Sequence, residues 1–153
     1  MDQLRRRLLA RAGGAATLLV VALLKPARAL AAVWNKDAFA AKNPVDALKG
    51  IGIVDTVASK DLLIDAPQIA ENGAVVPVEI TSNIPNTTSI AVVIDKNPFP
   101  LAGKFEFLDG ALPFLKVNLK LGETSDVRVV AIAEGRNYVA TKEIKVTIGG
   151  CGG

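Results

Sequence analysis

After Gly52 the chain alternates apolar and polar residues with period two, and that alternation predicts β-strands. Val75-Val76-Pro77-Val78-Glu79-Ile80-Thr81 is rich in β-branched residues, with Pro77 marking an edge strand or a bulge. Ile90, Val92 and Ile94 fall in phase within 89–95, as do Phe105 and Phe107 within 104–108. Leu115, Val117, Leu119 and Leu121 share a face, and Lys116, Asn118 and Lys120 take the opposite one. The run 126–134 is apolar on both faces at its centre, as a central strand is. The run 138–148 sets Ile144, Val146 and Ile148 against Glu143, Lys145 and Thr147. Asn72-Gly73, Asp109-Gly110, Gly122 and Gly135 with Asn137 punctuate these runs. Six or seven short strands joined by tight turns, without βαβ spacing, predict an all-β fold: an antiparallel Ig-like sandwich.

Two short helices precede the strands. In 34–41, Trp34, Ala38 and Ala41 lie on one side with Phe39 close by, a face able to dock on a core. Asn43 then supplies an N-cap, Pro44 the first helical position, Asp46 an acid in the opening turn and Gly50 a stop. A single-turn helix over 45–49 is expected, with both helices decorating one end of the sandwich.

The first 31 residues read as a cleaved export signal. Arg5, Arg6, Arg7 and Arg11 form a basic start, and Ala12 to Leu24 is a thirteen-residue apolar run. That run is too short for a permanent membrane anchor. Pro26 breaks it, and cleavage is expected after Ala31, with Ala29 and Ala32 as alternatives. Arg5-Arg6-Arg7-Leu8-Leu9 resembles a twin-arginine signal, with Leu4 and Leu8 departing from the usual pattern. The folded-export route is therefore expected, the ordinary unfolded route being the alternative, and the destination is a bacterial periplasm. The domain plan is a leader over 1–31, an Ig-like domain over 32–148 and an arm over 149–153.

The leader also changes the charge. Six of eighteen basic residues lie in it, leaving twelve against fourteen acidic ones and a net charge near −2. Nucleic-acid binding loses its electrostatic footprint. With no histidine, the chain lacks the commonest general base and metal ligand, and its one cysteine forms no intramolecular disulfide. No cofactor or metal is expected, and the carboxylates show no pairing in sequence and read as solvated.

That cysteine, Cys151, sits between Gly149-Gly150 and Gly152-Gly153 at the chain's end. Four glycines leave the segment almost without conformational preference. Extended, its five residues reach roughly 15–18 Å. Reactive thiols normally have a helix N-terminus or a fixed cation to lower their pKa. Cys151 instead follows a strand and neighbours the terminal carboxylate, which favours the thiol over the thiolate. A tether also holds no preorganised base or oxyanion hole. The expected role is a carrier's hook, Cys151 being the covalent attachment point and Gly149, Gly150, Gly152 and Gly153 its flexible arm.

Lys145-Val146-Thr147-Ile148-Gly149-Gly150-Cys151-Gly152-Gly153 resembles the C-terminus of the SoxY family. The similarity extends through Pro67-Gln68-Ile69-Ala70-Glu71-Asn72-Gly73-Ala74-Val75-Val76-Pro77-Val78-Glu79 and Asp95-Lys96-Asn97-Pro98-Phe99-Pro100-Leu101. This resemblance implies an Ig-like subunit paired with SoxZ that carries sulfur intermediates on Cys151 during thiosulfate oxidation. It implies that the SoxAX cytochrome pair loads thiosulfate, that the hydrolase SoxB releases sulfate, and that SoxCD acts on the remaining sulfur in some organisms. On this reading the chain is no enzyme but the substrate-bearing subunit of others. Rival readings are an Ig-like structural or adhesion module, a thiol-disulfide redox protein, and a ubiquitin-like carrier using the Gly153 carboxylate. The stretches 69–73 and 96–100 read first as a turn and a proline-fixed loop, and second as partner contacts.

Overall fold

Strands that are apolar on one face need a second sheet to bury that face, and the chain builds one. The computed structural model describes residues 35–108 and 110–147, all within one unit, Trp34–Gly153. The expected leader, 1–31, and the expected arm, Gly149 to Gly153, lie outside the described residues.

Among the described residues, helices α1 (Lys36–Ala40) and α2 (Pro44–Gly50) come first. Strands β1 (Val57–Ala58), β2 (Leu62–Asp65), β3 (Ile69–Ala70) and β4 (Val76–Ser82) follow. Then come β5 (Thr87–Ile94), β6 (Leu101–Glu106), β7 (Phe114–Leu119), β8 (Ser125–Ala133) and β9 (Arg136–Val146). One sheet has the order β2-β4-β7, and the other β9-β8-β5-β6 with β1 and β3 on the free side of β9. This is the strand arrangement of an Ig-like sandwich, β2-β4-β7 facing β6-β5-β8-β9.

The core follows from the alternation. Val76, Val78 and Ile80 of β4 and Leu119 of β7 meet Ile90, Val92, Ile94, Val127, Val129 and Ile144 of the larger sheet. The opposite face of that sheet is also apolar. Ala91, Val93, Leu101 and Val130 pack there against Ala38, Ala47, Leu48 and Ile53. Burial on both sides explains why β8 reads as a near-continuous apolar run. The helices thus cover a sheet face, where the sequence suggested a decoration at one end.

Local chemistry sets the element ends. Asn35 Oδ1 accepts from the Ala38 N–H at 3.1 Å and Asn43 Oδ1 from the Asp46 N–H at 2.9 Å, capping α1 and α2. The β8–β9 hairpin turns through Glu134 (φ 50°) and Gly135 (φ 74°), two successive left-handed residues matched to the twist of the strands.

Three further expectations are corrected. The larger sheet is not wholly antiparallel, because β1 and β3 run parallel to β9. Pro77 lies in the central strand of its sheet, but β2 pairs with β4 only as far as Glu79, so beside Pro77 that flank is unpaired. A missing N–H is tolerated there. Some carboxylates are paired: Asp95 with Arg128 at 2.7 Å and Glu79 with Lys116 at 2.6 Å between neighbouring strands, and Glu106 with Lys104 at 3.2 Å along β6. Glu79 raises the Lys116 pKa above its ordinary value through that hydrogen bond and its charge.

Ile144 is fully buried and is the last β9 residue paired with β8. Ile144→Ala is expected to lower stability by about 2–5 kcal/mol in urea denaturation, because it removes buried methylenes and leaves a cavity. A loss below about 0.5 kcal/mol would mean that Ile144 does not anchor this end of β9.

Candidate functional site

β9 leads directly into the segment that holds Cys151, so the end of β9 is the base from which any carrier arm departs. Cys151, Gly149, Gly150, Gly152 and Gly153 lie outside the described residues. The described part of the site is therefore the root, Lys145 to Thr147, and what holds it.

The β8–β9 ladder ends at Ser125 and Ile144. Beyond that pair, other groups take over the backbone of β9. The Lys145 N–H donates to the Gln68 carbonyl at 2.9 Å, and the Thr147 N–H to the Ala70 carbonyl at 3.1 Å. Between them, the Val146 N–H points the other way and donates to Thr124 Oγ1 at 3.0 Å. Thr124 Oγ1 also lies 3.5 Å from the Val146 carbonyl, to which it donates. Three consecutive N–H groups are thus held, alternately by β3 and by a side chain that replaces β8.

A second loop presses on the root. Asn72 folds its own turn, with Oδ1 accepting from the Ala74 N–H at 2.9 Å and its carbonyl from the Val75 N–H at 3.4 Å. That turn delivers Gly73 against the root. A Cβ on Gly73 would sit 2.8 Å from Val146 Cγ1 and would overlap the Leu121 carbonyl oxygen. The Gly73 carbonyl accepts from the Leu121 N–H at 2.8 Å, tying this turn to the β7–β8 loop. Leu121 itself is buried in the sandwich core.

A third loop holds the second. Asn97 donates through Nδ2 to the Lys120 carbonyl at 2.8 Å and accepts at Oδ1 from the Gly122 N–H at 3.2 Å. One amide thus brackets Leu121. The Lys96 N–H donates to Ser125 Oγ at 3.0 Å, fastening the same loop to the start of β8. Phe99 in this loop carries Lys42 over its ring, 3.5 Å from the centroid, joining it to the helical layer.

The stretches 69–73 and 96–100, far apart in sequence, therefore converge on one end of β9. The first is more than a turn, since Ile69 and Ala70 form β3 beside Lys145 and Val146. The second is a fixed loop whose Asn97 has a structural task. Sequence reasoning missed Thr124 as part of the site, and no local pattern singles it out. A groove of about 550 Å³ between residues 82–88 and the 107–113 loop lies at the other end of the strands, away from this root. Among the described residues, no three carboxylates gather closely enough to hold a metal ion.

The close approach at Gly73 predicts an asymmetry between two glycines. Gly73→Ala is expected to destabilise the protein by about 1–3 kcal/mol, as overpacking does. At Gly122 the nearest atom to an added Cβ is 3.9 Å away, so Gly122→Ala should stay within about 0.5 kcal/mol. Equal effects in chemical denaturation would contradict the packing described.

The comparisons with known proteins fall on this same region. The model of the family described as sulfur oxidation protein SoxY matches residues 49–151. The chain is similar to the structure of the sulfur carrier protein SoxY from Chlorobium limicola f thiosulfatophilum, with 34% identity and a TM-score of 0.60. That similarity covers 67% of this chain and 93% of the other. An engineered protein aligns at 14% identity with a TM-score of 0.40, over 57% of this chain and 20% of the other, too little to carry an argument. No curated protein matches. A family match that takes in every described strand and the lone cysteine shows that the chain belongs to the SoxY family of sulfur oxidation proteins.

Proposed function

We propose that this chain is a covalent carrier of sulfur intermediates in periplasmic thiosulfate oxidation, with Cys151 as the attachment point. The observation that carries the reading is that the family match ends on Cys151, the chain's only thiol. It lies five residues beyond the end of β9, which is held on both sides. The similar Chlorobium protein is itself described as a sulfur carrier. In the domain plan proposed here, 1–31 is removed on export, by the twin-arginine route, and 149–153 is the carrier arm.

The chemistry divides between carrier and enzymes. Loading joins the Cys151 sulfur to the sulfane sulfur of thiosulfate, releasing a proton and an electron pair to the SoxAX cytochromes. Hydrolysis by SoxB then adds water across the terminal sulfur–sulfur bond, releasing sulfate and one proton and leaving a persulfide, Cys-S-SH, on Cys151. Where SoxCD is present, it oxidises that remaining sulfur. The chain itself binds, retains and presents, and SoxZ is its standing partner. Covalent attachment keeps a small anion from diffusing away, and a short tether keeps its effective concentration high at each docked enzyme.

Incubating the purified carrier complex with thiosulfate and the SoxAX cytochromes should add the mass of a thiosulfate group to the C-terminal peptide alone. Cys151→Ser should take up none and support no thiosulfate oxidation. Oxidation that persists in Cys151→Ser would overturn the carrier reading.

A further inference from the structure

The root of β9 is held more elaborately than a strand end requires. Main-chain pairing with β8 stops at Ile144, and only the two-residue β3 runs on beside Lys145 and Val146. Lys145, Val146 and Thr147 are nevertheless kept in line by partners drawn from three separate loops. Lys145 and Thr147 are exposed and Val146 only half-buried, so burial alone does not keep them in place.

We propose that Thr124 and Asn97 are positioning residues that set where the carrier tether begins. Thr124 acts directly, its hydroxyl accepting the Val146 N–H at 3.0 Å where β8 no longer reaches. Asn97 acts through the β7–β8 loop. It brackets Leu121 by bonding Lys120 and Gly122, and Leu121 holds Gly73 against Val146. With both in place, the chain is fixed through Thr147 and three residues separate that point from Cys151. Without them, only the Gln68 and Ala70 carbonyls hold the root, and each opening of β9 back to Ile144 frees three more residues and adds roughly 10 Å of reach. A longer tether dilutes its end approximately as the −3/2 power of length, which lowers the local concentration of Cys151 about two- to threefold.

The functional part of this inference rests on the carrier reading, whereas its structural part does not. The test is therefore amide hydrogen exchange of the full mature chain, which needs no sulfur chemistry. In Thr124→Val, which keeps the shape and loses the hydroxyl, the Val146 and Thr147 amides should exchange about tenfold faster. Val139 and Ala140, further back in β9, should keep their rates. Thr124→Ser should restore slow exchange. Asn97→Ala should raise the same two amides and again spare Val139 and Ala140. If Val146 and Thr147 keep wild-type rates in both Thr124→Val and Asn97→Ala, or if all of β9 accelerates equally, the proposal is wrong. A small disulfide reagent should meet Cys151 at an unchanged rate in the variants, while loading at sub-saturating carrier falls about two- to threefold. Accelerated exchange with unchanged loading would overturn the functional part. Failure of the carrier reading itself would appear separately, in Cys151→Ser.

Discussion

The arrangement depends on how closely Gly73 approaches Val146 and Leu121. No side chain fits between them, because even a methyl group would overlap the Leu121 carbonyl oxygen and crowd Val146 Cγ1. That proximity lets the β3–β4 turn, the β7–β8 loop and the end of β9 meet as one packed unit. Hydrogen bonds from Asn97 and Thr124 then hold the partners in place, each net contribution being modest, about 0.5–1.5 kcal/mol. The packing fixes the geometry, and the hydrogen bonds keep the strand from fraying.

The rest of the sandwich gives this unit something rigid to hold. β5 and β8 are buried on both faces, by the smaller sheet on one side and by the two helices on the other. β9 pairs with β8 from Arg136 to Ile144 and is flanked on its other side by β1 and β3. The second flank is paired at Tyr138–Val139 and at Lys145–Val146, so β9 is braced near both of its ends. Lys42 over Phe99 and Asp95 against Arg128 link the helical layer and the β5–β6 loop to the same framework. These are partly exposed contacts, and their role is orientation more than stability.

Much of this was legible in the sequence, and what was not has a physical reason. Period-two alternation located β4, β5 and β7, a run apolar on both faces located β8, and Asn43-Pro44 announced α2. The pairs Val57–Ala58 and Ile69–Ala70 are too short to show any period, and they form only because β9 offers them a flank. Pro77 pointed to an edge, and a central strand tolerates it because β2 is too short to reach it. Of the site, Cys151 stood out as a lone thiol among glycines. The glycine of Asn72-Gly73 gave a correct turn, but its approach to Val146 is a tertiary contact across 73 positions of chain. Asn97 and Thr124 are ordinary loop residues in sequence, and only the fold brings them to one place.

Membership of the SoxY family says what kind of protein this is, and the root of β9 says how this chain would present a thiol. The central proposal is a sharp boundary: fixed backbone through Thr147, with the tether proposed for Cys151 beginning beyond it. Backbone ¹⁵N relaxation of the mature protein tests it most directly. The account predicts order parameters near 0.85 through Thr147, falling below 0.6 across Gly149 to Gly153. High order parameters extending to Cys151, or low ones beginning before Lys145, would contradict it.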